Sequence, residues 1–462
     1  MSKRSLQNSI APICILLVAC LFTFLCAGLA VAQNLPAGET VWQENVQLDQ
    51  PLNIPRGSRL LVRPGVEITV ASPSAKITIS GILAIEGRAK SPVVVTGIEG
   101  WQGIHFIEAE KGSVIRHAHF HNGETALSSV ATDFEVTDAH FSGWVTAIKL
   151  LRESNPLIER NRFEENDMAI DNEMKSVPLI RDNLFKGQHK TAILASHNSR
   201  GEIRGNRFEG NEQGIGLLQT YQDRIVDNIF IENRIGLYCN QTKNTPMIKG
   251  NRFEKNEVAI VNYAFAYPAI EDNSFIDNKM AVRNDQYGSP RLVYNLFRGN
   301  ETAIYNYRKS NPVIENNRIE KSGVALYCDY SSYPRVKQNN FSDNRLAVEL
   351  GIYQSADWEK RSGSKKLMQK EAQARNSRNT MLDRAPETFN DIVDVSGNWW
   401  NDKTSTLQQA EKGQNLDLFY DRLDKEWVTY EGFGPESYRI DLVGYRPWLE
   451  APVAAVGPRE AQ

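Results

Sequence analysis

One phrase, Asn-x-Phe-x-x-Asn-x-x-Ala-Ile, recurs nine times between Asn155 and Val348 and limits what this chain can fold into more than any other feature. Its first Asn falls at Asn161, Asn183, Asn206, Asn228, Asn251, Asn273, Asn295, Asn317 and Asn339, in steps of 22 or 23 residues. A period of this length marks stacked structural repeats, each unable to bury its apolar face alone. In the repeat at Asn251 the apolar stretches are Met247-Ile248, Phe253 and Ala259-Ile260, with Gly250-Asn251 and Asn256-Glu257 between them. Short apolar runs punctuated by Asn, Gly and Asp suit strands and leave no room for a helix. Three strands and three turns per repeat make one coil of a parallel β-helix, in which like residues stack ~4.8 Å apart.

The columns follow from the period. Phe163, Phe185, Phe208, Phe230, Phe253, Phe275, Phe297, Ile319 and Phe341 form one inward column. Ile158, Ile180, Ile203, Ile225, Ile248, Ile270, Leu292, Ile314 and Val336 form another. The Asn column belongs at a bend, because Asn tolerates left-handed backbone angles and stacked amides hydrogen-bond along a column. The expected class is all-β, a right-handed parallel β-helix of about a dozen coils, capped at both ends. The Asn161-x-Phe163-x-x-Asn166-x-x-Ala169-Ile170 phrase resembles the right-handed parallel β-helix, or pectin-lyase-like, superfamily over roughly Leu52 to Trp400. That group includes polysaccharide lyases and hydrolases, epimerases and NosD-like periplasmic proteins, so the resemblance implies a fold more strongly than an activity.

Lys3 and Arg4 precede an apolar run from Ile10 to Leu29, and Ala30-Val31-Ala32 offers a cleavage site, so residues 1–32 read as a signal peptide. An uncleaved anchor and a lipobox at Leu17-Val18-Ala19-Cys20 are the alternatives. No other stretch is apolar and long enough to span a membrane. The expected protein is exported, periplasmic or extracellular. Without Lys3 and Arg4 the chain holds 51 basic and 56 acidic residues, a balance that argues against a charge-driven nucleic-acid binder. Only Cys239 and Cys328 lie outside the leader, in one column four coils apart. At ~19 Å by strand spacing they are too far apart for a disulfide.

Residues 33–110 read as an N-terminal cap and first coils, 111–351 as regular coils, 352–390 as a basic insertion and 391–462 as a last coil with a C-terminal cap. Two degenerate coils put Ala118 and Ala139 at the Asn position, with Phe120 and Phe141 following. The insertion carries eight Lys or Arg residues between Lys360 and Arg384 and allows a helix over roughly Lys365 to Arg378 within a mobile loop. Gly397-Asn398-Trp399-Trp400-Asn401 resembles the Asn-Trp-Trp-Gly closure of many β-helix proteins, with Asn401 in place of Gly. From Ala454 the chain is expected to fray.

Three clusters stand out against the repeat. His119 and His140 share an outward column on adjacent coils, with His117 and Asp138 two residues before and His121 beyond. Imidazoles and a carboxylate suit Zn or Cu, although Arg162 continues the column and a solvated polar face is the plainer reading. The second is a Tyr and acid stripe: Tyr238, Val261, Arg283, Tyr305 and Tyr327, and two residues on Asn240, Tyr263, Asp285, Tyr307 and Asp329. Aromatic faces beside carboxylates suit sugar rings, while a β-surface Tyr ladder alone would stabilise a sheet. As catalytic groups the stripe offers Asp285 and Asp329, two coils apart on the outward face, with Arg283 as the nearest cation. The resemblance adds Ca on an acidic cluster, as in lyases of the fold, but no lyase or epimerase motif is matched. The third is an inner set, Asn172, Asn262, Asn284 and Asn306, read as a buried amide ladder. The leading expectation is non-catalytic binding of a polysaccharide or cell-envelope polymer by Tyr238, Tyr263, Asp285, Tyr305, Tyr307, Tyr327 and Asp329, with no resident cofactor. A polysaccharide lyase or hydrolase and a NosD-like metal-handling accessory protein are the alternatives.

Overall fold

The structure, a computed structural model, describes residues 32–220, 223–242, 245–362, 390–411, 413–430 and 435–459. The expected leader therefore lies outside the described residues. Each coil of the repeat region contributes three short strands, for example Leu157–Glu159, Arg162–Glu164 and Met168–Asn172. First strands stack into one parallel sheet of fourteen, and second and third strands share a sheet of twenty-eight. The rod thus has about fourteen coils rather than a dozen. The extra coils come from Gly38–Trp42, Ser58–Val62 and Ile82–Glu86, which stack in the first-strand sheet without carrying the Asn phrase.

The Phe column points inward as expected. From Phe120 to Phe297 its rings stack at 4.6–5.0 Å between centroids and within 9° of parallel. Ile319 interrupts the stack, and Phe341 resumes it against Trp400 at 4.7 Å. The Ile column is equally buried, from Ile158 to Val336.

The Asn column does more than turn the chain. From Asn183 onward each Asn side-chain oxygen accepts two hydrogen bonds from the coil before it. One comes from the preceding Asn backbone N–H at 2.8–2.9 Å, the other from its side-chain amide at 2.9–3.1 Å. Asn161 accepts one, from the Ala139 N–H at 2.9 Å. The same amide also donates to a main-chain carbonyl of the Ile column, as Asn273 Nδ2 does to Ile248 at 2.9 Å. A second ladder runs through Asn166, Gln188, Asn211, Asn233, Asn256, Asn278 and Asn300. The left-handed backbone, however, sits one residue before the Asn, at Arg160, Asp182, Gly205, Asp227, Gly250, Asp272, Tyr294, Asn316, Gln338 and Gly397, with φ of 53–69°. Asn is therefore needed for its amide, which satisfies buried main-chain groups, and not for its tolerance of positive φ.

Cys239, Asn262, Asn284, Asn306 and Cys328 follow one another in register. Both thiols are free and buried. The three amides chain at 2.9 Å and end on Cys328 Sγ at 3.7 Å.

At the far end, Asn398 supplies the next rung, accepting from Asn339 at 2.8 Å, and Asn401 adopts φ 52°. The start of the insertion packs against the coils, and most of the basic arm expected to be mobile lies outside the described residues. Helix Ala356–Ser362 packs Trp358 on Tyr330 and Tyr430, and its buried Glu359 meets Lys309 at 3.1 Å. The helix expected over Lys365 to Arg378 lies outside the described residues. The tail does not fray at Ala454. Val453 pairs its backbone with the Asn340 amide at 3.0 and 3.1 Å, and Gly457 N–H donates to Asn316 at 3.1 Å. Arg459 then clasps Asp272 at 2.9 and 2.7 Å and lies 3.9 Å from the Tyr294 ring centroid. These polar anchors give the tail the partners that an apolar count of its residues does not reveal.

Asn273→Ala removes an acceptor shared by two donors of Asn251 and strands the buried Asn251 backbone N–H, whereas the Asn251 amide keeps the Ile225 and Lys249 carbonyls. At about 1–3 kcal/mol for that stranded group, urea denaturation should show a loss of this size, with the β-sheet circular dichroism of the native state unchanged.

Candidate functional site

The third strand of each coil, such as Val258–Tyr263, places alternate side chains outward. Register in the structure brings Tyr238, Val261, Arg283, Tyr305 and Tyr327 into one column and Asn240, Tyr263 and Asp285 into the next. Main-chain bonds from Tyr307 to Asn284 and from Asp329 to Asn306, both 2.9 Å, carry that second column past the strand ends. The tyrosines are half-buried and stand in pairs. Tyr305 and Tyr327 stack at 4.6 Å and 3°, and Tyr238 and Tyr263 stack at 6.3 Å. Tyr307 leans on Tyr305 at 6.0 Å and on Tyr330 at 5.6 Å. Burial pushes the Tyr305 phenol up to about 12 and raises Tyr238, Tyr307 and Tyr327 as well. All four hydroxyls are therefore neutral and able both to donate and to accept.

The two carboxylates do not lie where the strand alternation alone places them. Asp285 and Asp329 are 2% and 4% exposed. Arg308, at a left-handed turn with φ 48°, reaches back one coil and grips Asp285 at 2.7 and 2.9 Å, while Arg283 donates to it at 3.0 Å. Asp329 accepts the N–H groups of Tyr330 and Tyr353 at 2.8 Å each and the Tyr327 hydroxyl at 3.2 Å. Its side chain lies over Gly351, where an added Cβ would come within 2.2 Å of the Asp329 carboxyl carbon. The expectation of two outward carboxylates facing a shared opening is thus corrected. Asp285 is held between two guanidiniums, and Asp329 is covered by the start of the insertion. Burial pushes Asp329 up to about 6 against its three hydrogen bonds.

Sequence reasoning did not anticipate that the aromatic line continues from Tyr330 to Tyr353 at 5.3 Å and on to Tyr430 at 4.8 Å, joining the Tyr face to the C-terminal plug. The signal was present in Tyr353 and Trp358, but the broken period hid their column. Tyr333 belongs to the same plug, its hydroxyl donating to buried Asp441 at 2.7 Å.

On the second strands near the N-terminal end, His119 pairs directly with His140. Their ring centroids lie 5.7 Å apart, and His121 completes a triangle at 6.2 and 5.9 Å. His121 Nδ1 bonds the Ser142 hydroxyl at 2.8 Å, and His140 Nε2 faces Glu164 at 3.1 Å. Burial lowers both His121 and His140 from the usual histidine range. Asp138 turns away to a bidentate pair with Arg160 at 3.0 Å, so His117, His119, Asp138 and His140 do not converge.

Stacked parallel coils, closed by side-chain amide ladders and carrying their distinctive residues on outward columns, define a right-handed parallel β-helix protein. Residues 90–266 and 247–404 match the family described as periplasmic copper-binding protein (NosD), together about two thirds of the chain, and the chain belongs to that family. No curated protein matches it. Among solved structures it is similar to tailspike proteins of E. coli bacteriophage HK620. A double mutant gives a TM-score of 0.39 at 9% identity, covering 70% of this chain and 69% of that one. Another double mutant, in complex with pentasaccharide, gives 0.38 at 10% identity, covering 70% and 69%. Likeness of this degree bears on neither ligand nor activity. Among the described residues no helix is long and apolar enough to cross a membrane.

Because Asp329 has a folded pKa of about 6 against an ordinary 3.8, the folded protein binds the extra proton between those values. Its contribution to stability is therefore full below about pH 4 and is lost as pH rises through 6. The neutral isostere Asp329→Asn should gain on the wild type by up to about 3 kcal/mol between pH 4 and 7, read as the difference between their urea midpoints. A difference independent of pH would contradict the assignment.

Proposed function

We propose that this protein is exported and binds a polysaccharide or cell-envelope polymer, without cleaving it, along the Tyr face of its third strands. The observation that carries the reading is two half-buried Tyr pairs, Tyr238 with Tyr263 and Tyr305 with Tyr327, flanking a guanidinium–carboxylate–guanidinium group built by Arg283, Asp285 and Arg308. Aromatic faces take the C–H faces of sugar rings, and the neutral phenols and partly exposed guanidiniums take hydroxyls and ring substituents. A column of such groups along a rod suits an extended polymer better than a single small molecule. Asp285 and Asp329 are withdrawn and committed to protein partners, which favours binding over acid–base hydrolysis. Export rests on the apolar leader and its Ala-x-Ala site, and the periplasmic description of the family agrees with it.

Affinity electrophoresis in gels cast with bacterial and plant polysaccharides tests this. The wild-type chain should be retarded by at least one polymer. Tyr263→Ala combined with Tyr307→Ala should weaken that retention roughly tenfold to a hundredfold, with no shortening of the polymer. Unchanged retention in the double variant would sink the reading, and release of unsaturated uronate ends would favour a lyase instead.

A second reading comes from the family description, a copper-binding protein. The His119, His121 and His140 triangle has fitting chemistry, since neutral imidazoles ligate copper and zinc. Its arrangement does not fit: among the described residues no group of three or more His, Cys, Asp or Glu side chains is placed to hold a metal ion. After loading with copper and dialysis, the protein should retain well under one equivalent. One tightly held equivalent, lost in His119→Ala with His140→Ala, would restore the metal reading.

A further inference from the structure

The second-strand face carries a repeated ion pair. Arg162 with Glu164, Arg207 with Glu209 and Arg252 with Glu254 each join one guanidinium to one carboxylate two residues on. At Arg318 and Glu320 the pattern changes. The coil before places Arg298 in the column that holds Glu164, Glu209 and Glu254 elsewhere. Glu320 is 4% exposed, and its two oxygens are taken by Arg298 Nε and Arg318 Nε, each at 2.5 Å. Among the described residues the Nη groups of both arginines make no other hydrogen bond, and their side chains remain 44% and 52% exposed.

This is also where the tail crosses the rod. Between the tail at Pro452–Val456 and the second strands lies a cavity of about 790 Å³, walled by Arg298, Arg318, Lys321 and Trp399. The Asn340 amide and Asn316 hold the tail in place above it. Three cations thus face a cavity whose acids are Glu320, already shared by two arginines, and the exposed Asp343. The size is that of a small-molecule site. Paired guanidinium forks fixed by a buried carboxylate are preorganised for a planar or tetrahedral oxyanion, and an indole wall suits the apolar face of a ring.

We propose that this cavity is a second binding site, separate from the Tyr face and independent of it, for a small hydroxylated acid whose carboxylate or phosphoryl group is taken by Arg298 and Arg318 against Trp399. The tail forms one wall of this solvent-open cavity, so the ligand meets residues from four coils and the C-terminus together.

Isothermal titration of the chain beginning at Gln33 with D-glucuronate, glucose 1-phosphate and D-glucose tests it. At least one acid should bind with a Kd of about 1 mM or tighter, and glucose at least about tenfold more weakly. Which acid binds identifies the oxyanion that is read. Arg318→Lys keeps the charge beside Glu320 and loses the fork, and should weaken the acid about tenfold. If that variant melts early, the exposed Lys321→Gln serves instead and should weaken the acid about threefold or more. Binding of neither acid, equal binding of glucose, or acid affinity unchanged in a folded Arg318→Lys or Lys321→Gln variant would overturn the proposal.

Discussion

From Asn161 to Asn398 each coil of this rod is tied to the next by a side-chain oxygen that accepts two hydrogen bonds. The Asn at the first bend holds the backbone N–H and the side-chain amide of its predecessor, while its own amide reaches a main-chain carbonyl inside the coil. Parallel strands of three residues offer few ladder bonds of their own. The bends would otherwise leave buried N–H and C=O groups without partners, at a cost no short strand offsets. The amide column removes that cost at each bend. It also disfavours slippage, because a shift of one residue would put a left-handed turn residue such as Asp182, or a second-strand residue such as Arg162 or Leu184, where the amide must be.

With register held this way, the rest of the molecule becomes a set of columns whose members differ from coil to coil. Inward columns vary little: Phe stacks on Phe, and Asn262, Asn284 and Asn306 bond in line. Outward columns are free to vary, and the chemistry gathers there. Two places show one buried carboxylate shared by two arginines, Asp285 on the Tyr face and Glu320 under the tail. In both, an acid at the base fixes two guanidiniums at the surface and leaves a local excess of positive charge beside aromatic side chains. The NosD family membership accounts for the scaffold, and these two places depart from the chain's own repeat.

Period and column were legible in the sequence because they depend only on spacing. The pairing of His119 with His140, the shared column of Cys239 and Cys328 and the line of Tyr238, Arg283, Tyr305 and Tyr327 all follow from counting. Depth did not follow. Strand alternation puts Asp285 and Asp329 outward, but Arg308 from the next coil and the chain after Gly351 cover them, and neither neighbour is visible in an alternation. The role of the Asn column was half legible: its amide bonding was foreseen, while the left-handed angle belongs to the residue before it. The early coils were undercounted because they close with Gly and Pro turns in place of the Asn phrase. The path of the tail depends on long-range pairs, Val453 with Asn340, Gly457 with Asn316 and Arg459 with Asp272, which no local pattern announces.

The central claim is that the amide column locks the coils into a single cooperative register. Native-state hydrogen exchange of the backbone N–H groups of Asn183, Asn206, Asn228, Asn251, Asn273 and Asn295 tests it most directly. These groups donate to the next Asn at 2.9 Å, so all six should exchange only through global unfolding, with one common free energy that falls with urea along the global slope. Exchange of the six at separate, urea-independent rates would mean that coils open one by one, and would contradict the account.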